Sequence, residues 1–173
     1  MTGEPGSGKT TVIRRVAAAI QDRIAIRGFF TEEIRSDRGR QGFRGVTFDS
    51  RTFPLADRRL GGRLRVGAYG IDLSGLETVG LAALEPLPET RLVIVDEIGK
   101  MELLSASFRA RIEALIESEI PLLATIALHG VGLVKRLRHD PRVTLLRVRP
   151  DSRDGMVGEI VRRLSAAGVI ASG

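Results

Sequence analysis

Gly3-Glu4-Pro5-Gly6-Ser7-Gly8-Lys9-Thr10 is a full match to G-x-x-x-x-G-K-[ST], the phosphate-binding loop or Walker A pattern. Glycines at 3, 6 and 8 let the backbone curl so that successive N–H groups point inward at a polyphosphate. Lys9 then reaches the β- and γ-phosphates, and the Thr10 hydroxyl can ligate Mg²⁺. Behind the loop Val12, Ile13, Val16, Ala17 and Ile20 recur at helical spacing, so a helix from Lys9 to about Asp22 adds the positive end of its dipole. Gly3, Glu4, Pro5, Gly6, Ser7, Gly8, Lys9, Thr10 and Thr11 are the expected nucleotide-binding residues.

A second motif strengthens the first. Leu92-Val93-Ile94-Val95 is a short continuous apolar run, the pattern of a strand buried on both faces, and it ends in Asp96-Glu97. Hydrophobic strand then Asp is the Walker B pattern, in which Asp96 ligates Mg²⁺ through water. Glu97 is placed to act as general base for an attacking water; the alternative is an acidic cap on the next turn. In the following loop, Ile98-Gly99-Lys100-Met101-Glu102, Lys100 can point at the γ-phosphate or the charge developing there. It can equally pair with Glu102 or solvent. The chain has 24 Arg and only 3 Lys, yet two of those lysines, Lys9 and Lys100, fall in these motifs. A compact ammonium is wanted there, and Arg is not its equivalent.

The rest of the chain supplies the scaffold. Ile24–Ile34 reads as a strand, and 36–70, Gly- and Arg-rich, as antiparallel hairpins. Ser74–Leu84 suits a helix with Ser74 as N-cap and Glu77 at capping-box spacing. Then follow helix Ser105–Glu117, strand Pro121–Ala127, helix Val131–Arg138, strand Arg142–Val148 and a helix near Asp154–Ala167. Alternating strands and helices predict an α/β fold, a mostly parallel sheet covered on both faces, as one domain over 1–173 with the hairpin insertion at 36–70. A phosphate loop leaves the end of a buried central strand, but only Met1 and Thr2 precede Gly3. The expectation is a truncated first strand, with the natural protein beginning several residues upstream; the alternative is that another segment fills the gap or that the sheet is left open beside the loop.

Composition narrows the partners. Hydrophobic residues make up 43% and charged residues 28%, the profile of a soluble globular protein. The absence of cysteine and the two histidines exclude disulfides and a zinc cluster of the usual kind. The apolar stretch Pro121–Leu128 is too short to span a bilayer, and no signal peptide precedes the loop, so a cytoplasmic protein without a membrane partner is expected. A net charge of +6 could attract nucleic acid, but an Arg-biased, solvated surface gives the same number.

In order, Thr2 to Thr11, Gly28-Phe29-Phe30-Thr31-Glu32-Glu33-Ile34-Arg35, Arg40-Gln41-Gly42-Phe43, Tyr69-Gly70, Val95 to Glu102 and Arg153-Asp154 resemble the small P-loop nucleoside-triphosphatases known from thermophiles and, in human, as the cancer-related nucleoside-triphosphatase. The resemblance covers nearly the whole chain. It implies a RecA-type α/β core with added antiparallel strands, and slow Mg²⁺-dependent hydrolysis of nucleoside triphosphates to diphosphate and phosphate. It also implies that Glu32 and Arg35 end the second strand near the phosphate loop, unless they form a surface ion pair. Arg153 would follow the last strand, where P-loop proteins often hold the base; a solvated arginine is the other reading. His129, after strand 121–127, would face the γ-phosphate, although Gly130 stands where the family pattern often has a basic residue.

Two other function classes stay open on the sequence. A P-loop kinase would pass the γ-phosphate to a nucleoside or a polynucleotide 5′-hydroxyl, with Arg35, Arg38, Arg40 and Arg44 imitating an Arg-rich lid. An ATP-switched nucleic-acid-binding module would use the net charge, but one Tyr and no Trp leave few stacking residues. No side-chain set recognisably reads a base edge, so hydrolysis of ATP, GTP, CTP and UTP alike is expected. Oligomeric state is not legible.

Overall fold

The computed structural model describes residues 1–37 and 39–170; Arg38, one of the arginines expected in a lid, lies outside them. The centre of the fold is β6 (Thr90–Ile98), in which every residue from Leu92 to Asp96 is buried. It runs parallel to β1 (Ala25–Ser36) on one side and to β7 (Leu122–Ile126) on the other. Its alternate side chains enter two cores. Leu92 and Ile94 join Val12, Ile13, Val16 and Ile20 of α1 (Lys9–Ile20) and Ile160 of α6 (Arg153–Ala166). Val93 and Val95 join Phe108 and Ile112 of α4 (Ala106–Glu117) and Leu137 of α5 (Leu133–His139). A strand flanked by helices on both faces has no polar side, which is why its sequence is an unbroken apolar run.

The insertion extends the same sheet. β2 (Gly39–Thr47), β3 (Thr52–Asp57), β4 (Arg65–Val66) and β5 (Tyr69–Ile71) pair antiparallel, giving the order β4-β5-β3-β2-β1-β6-β7. The sheet thus has a parallel core and an antiparallel wing over 36–70, as the Gly- and Arg-rich sequence predicts. Phe53 of β3 joins the two, its ring edge-on to Phe29 of β1 at 5.3 Å between centroids.

The helical stretch after the wing runs as α2 (Leu73–Gly75), a π-turn (Leu76–Gly80) and α3 (Leu81–Ala83). Its cap corrects the expectation of Ser74: the Asp72 carboxylate accepts from the Ser74 N–H at 2.9 Å, because an ionised oxygen two residues back outcompetes a hydroxyl inside the turn. Glu77 is no capping-box partner either; it accepts from the Ser105 hydroxyl at 2.6 Å. Ser105 in turn caps α4 through the Phe108 N–H.

The expected strand Arg142–Val148 is also corrected. Only an isolated parallel bridge, Arg147 to Thr2, forms there. Thr2 donates to the Leu146 carbonyl and accepts from the Val148 N–H, each at 2.8 Å, and Met1 accepts from the Ile126 N–H at 2.8 Å. Met1 and Thr2 therefore lie between β7 and residues 146–148. Beyond them, a cavity of about 530 Å³ lined by Leu122, Leu123, Val143 and Leu145 separates β7 from 143–145. Among the described residues, 142–145 have no neighbouring strand with which to form a ladder. Among the described residues no helix is long and apolar enough to cross a membrane.

Candidate active site

Gly8 precedes α1 with φ of 94°, in the left-handed region that a residue with a Cβ rarely adopts. A second constraint acts on the same atom: a Cβ there would lie 2.5 Å from Cδ of Arg153. Arg153, at the start of α6, thus rests directly on the phosphate loop. No side chain caps α1, so the N–H groups of its first turn are left to the loop's concavity. Lys9 curls back, donating from Nζ to the Gly3 and Glu4 carbonyls at 3.1 and 3.4 Å. The same Nζ is 3.7 Å from Oε2 of Glu97.

β6 delivers Asp96 to the floor of the loop, 1% exposed. Thr10 donates to Oδ2 of Asp96 at 2.6 Å and Thr125 of β7 to Oδ1 at 2.5 Å, while the Thr31 hydroxyl lies 3.5 Å from Oδ2. One carboxylate among three hydroxyls is a set of hard oxygen donors. It fits Mg²⁺, which binds through one or two protein oxygens together with phosphate oxygens and water. No group of three or more His, Cys, Asp or Glu side chains that could cage a metal occurs among the described residues.

Two cavities meet at this point. One, of about 730 Å³, is bordered by the Gly6–Thr11 end of the loop, Arg14, Glu32 and Arg40. The other, of about 490 Å³, is bordered by the Gly3–Glu4 end, Lys100, Met101 and His129, and walled by Leu55 and Val66 of the wing. Pro5, Lys9, Thr31, Phe43 and Glu97 line both. Glu97 stands at the junction with 32% of its side chain exposed. Burial pushes its carboxyl up from the usual range, Lys9 opposes the shift, and Asp96 adds to it.

Sequence-predicted positions separate into those the fold gathers and those it does not. Lys9, Thr10, Asp96, Glu97, Lys100, His129 and Glu32 all border one or both cavities or the Asp96 floor. Arg35 does not: it turns outward onto Glu33 at 2.7 Å, and Glu32 itself holds Arg44 at 2.9 Å. Lys100 is exposed, and it is not paired with Glu102, which is buried. The sequence reading passed over Thr31, Thr125 and Glu102. Thr31 and Glu102 lie in stretches already singled out, whereas Thr125 sits in an apolar strand where a threonine carries no signal of its own.

A family model described as NTPase matches residues 1–161. The chain belongs to the NTPase family. It is an enzyme of nucleoside-triphosphate hydrolysis, as the motif order implies. "Nucleoside-triphosphatase THEP1" of Thermotoga petrophila is 41% identical over 162 residues, covering 93% of this chain and 89% of the relative. The crystal structure of THEP1 from the hyperthermophile Aquifex aeolicus superposes with a TM-score of 0.85 at 33% identity, over 94% of this chain and 96% of that one. The solution structure of a human cancer-related nucleoside triphosphatase gives 0.81 at 31% identity, with 95% of each chain covered. This NTPase therefore carries the family's fold along nearly its whole length, and the parallel core with antiparallel additions expected from the resemblance is borne out.

Proposed function

We propose that this NTPase hydrolyses ATP, GTP, CTP and UTP to the diphosphate and phosphate with Mg²⁺ as cofactor, using Glu97 as general base. The observation that carries this reading is the position of the Glu97 carboxylate. It stands 3.7 Å from the phosphate-loop lysine and faces a cavity open enough to hold water.

The Gly3–Thr11 backbone cradles the phosphates, and Lys9 leaves its carbonyl partners to neutralise the β- and γ-oxygens. Thr10 and Asp96 would hold Mg²⁺, which would supply positive charge to the β- and γ-phosphates. Glu97 accepts a proton from water as the water oxygen bonds to the γ-phosphorus. The bond from that phosphorus to the bridging oxygen breaks, and the diphosphate leaves with the bonding pair. Lys100 adds charge from the rim, and Arg153, lying on Gly8, reaches the nucleotide on its α-phosphate side. His129, Glu32 and Arg35 stand outside this set, the first two as cavity wall.

The relatives are named nucleoside-triphosphatases, which weighs against a kinase. Arginines of the wing, Arg40, Arg44, Arg51 and Arg59 among them, are tied to Glu33, Glu32, Asp49 and Asp57, which weighs against a surface built for nucleic acid. Phosphate release from the four nucleotides, with Mg²⁺ and no other acceptor, tests the reading. We expect kcat/KM values within about tenfold of one another; a preference above about 10³ belongs to a site that reads the base. Glu97→Gln should lower kcat by about 10²–10⁴ with nucleotide affinity held within a few-fold. Lost binding with intact kcat would remove Glu97 from the chemistry.

A further inference from the structure

Three carboxyl groups gather at the end of β6, and the mechanism above uses two. The third, Glu102, opens the short 3₁₀ turn Glu102–Leu104 and is 4% exposed. Its Oε2 accepts from the Gly99 N–H at 3.2 Å. Among the described residues it has no ion-pair partner, although Lys9, Lys100 and His129 border the same cavity. Burial keeps its proton on up to about 8, and the neighbouring carboxylates of Glu97 and Asp96 add to the effect. At neutral pH Glu102 is an uncharged acid beside the catalytic carboxylate.

Gly99 joins the two groups. A Cβ on it would lie 2.9 Å from Oε1 of Glu97 and 3.1 Å from Oε2 of Glu102. Both carboxyls therefore close on the space that a side chain at Gly99 would take. An apolar residue at 102 would leave the buried Gly99 N–H without an acceptor. A cationic one would compete with Lys9 for Glu97, and an ionised carboxylate would repel it.

We propose that Glu102 is a positioning residue for Glu97, its carboxyl oxygen fixing the Gly99 turn against which the Glu97 side chain is aimed. It acts on the hydrolytic step and leaves nucleotide binding alone. The inference rests on Glu97 being the base, and the experiment separates the two.

The test compares kcat, KM and diphosphate affinity in Glu102→Gln, Glu102→Met, Glu97→Gln and the double variant Glu97→Gln/Glu102→Met. Glutamine keeps an acceptor for the Gly99 N–H, so Glu102→Gln should stay within about threefold of the parent kcat. Methionine keeps the volume but not the acceptor, and should lower kcat by about tenfold or more with diphosphate affinity within about threefold. In the Glu97→Gln background the same methionine should cost less than about twofold, because aiming an absent base changes nothing. Equal losses in both backgrounds would overturn the positioning role, as would a glutamine as poor as the methionine. Should the methionine variant not fold, exchange of the Gly99 amide proton in Glu102→Gln decides instead: protection equal to the parent supports the bond, and lost protection with parental kcat overturns it. A parental kcat in Glu97→Gln overturns the base assignment itself, and this proposal with it.

Discussion

The parallel core and the antiparallel wing share one sheet but solve different problems. In β6 five consecutive residues are buried, and polar chemistry appears only at its C-terminal end. In β2 buried and accessible positions intermix, so one side meets the core while the other is dressed with arginine–carboxylate pairs. The core thus contributes charge placement, through the phosphate loop, Asp96 and Glu97. The wing contributes surface, with Phe43, Leu55 and Val66 forming a wall around that charge. Lower water content beside the wall makes each charge in the site count for more.

The largest effect should come from the core alone. Lys9→Ala should lower kcat by about 10³-fold or more, since loop amides cannot replace a point charge on the β- and γ-phosphates. Parental kcat/KM in that variant would end the division of labour drawn above, and the site with it.

Removing the joint between the halves should be felt in stability. Phe53→Ala should cost about 3–5 kcal/mol, because a fully buried ring is lost from both Phe29 and the wing. One cooperative melting transition, lowered on the order of 10 °C, is expected in calorimetry. Two separate transitions would show that wing and core fold independently.

A smaller effect should follow pH. Glu102 keeps its proton up to about 8 in the folded chain, against the ordinary 4.5 when unfolded. Between those values the folded state binds more protons, so the contribution of Glu102 is fully present below about 4.5 and is lost as pH rises through 8. Lys9, Asp96 and Glu97 face the same space and are common to parent and variant. Urea midpoints should therefore fall more between pH 5 and pH 9 in the parent than in Glu102→Gln; parallel pH profiles would deny the buried proton. Smallest of all, Arg44→Ala breaks a half-exposed pair with Glu32 and should change stability by less than about 1 kcal/mol.

What the sequence made legible follows the same divide. The phosphate loop, the apolar run into Asp96-Glu97 and the hairpin character of 36–70 rest on local rules of backbone and periodicity, and these held. The Ser74 cap failed because Asp72, two residues earlier, offers a charged acceptor to the same turn. Strand 142–148 failed because a strand exists only with a neighbour, and only Thr2 stands beside it. For Arg35 the surface ion pair is the reading that holds, because the outer end of its long strand carries it onto Glu33. Thr125 acts through Asp96, a tertiary neighbour 29 residues away, and Glu102 through a burial that only the folded chain creates. Such partners have no local pattern to betray them.

The shared lining of the two cavities has a consequence for traffic. On the proposed reading, a nucleotide along Gly6–Thr11 would fill the larger chamber and present its terminal phosphate at the Lys9–Glu97 junction. The freed phosphate would then stand at the mouth of the other chamber, which shares Lys9 and Glu97 with the first. It can leave by that door while the diphosphate still holds the loop. Departure of the diphosphate then empties the site for the next turnover, so added diphosphate should compete with substrate while added phosphate does not.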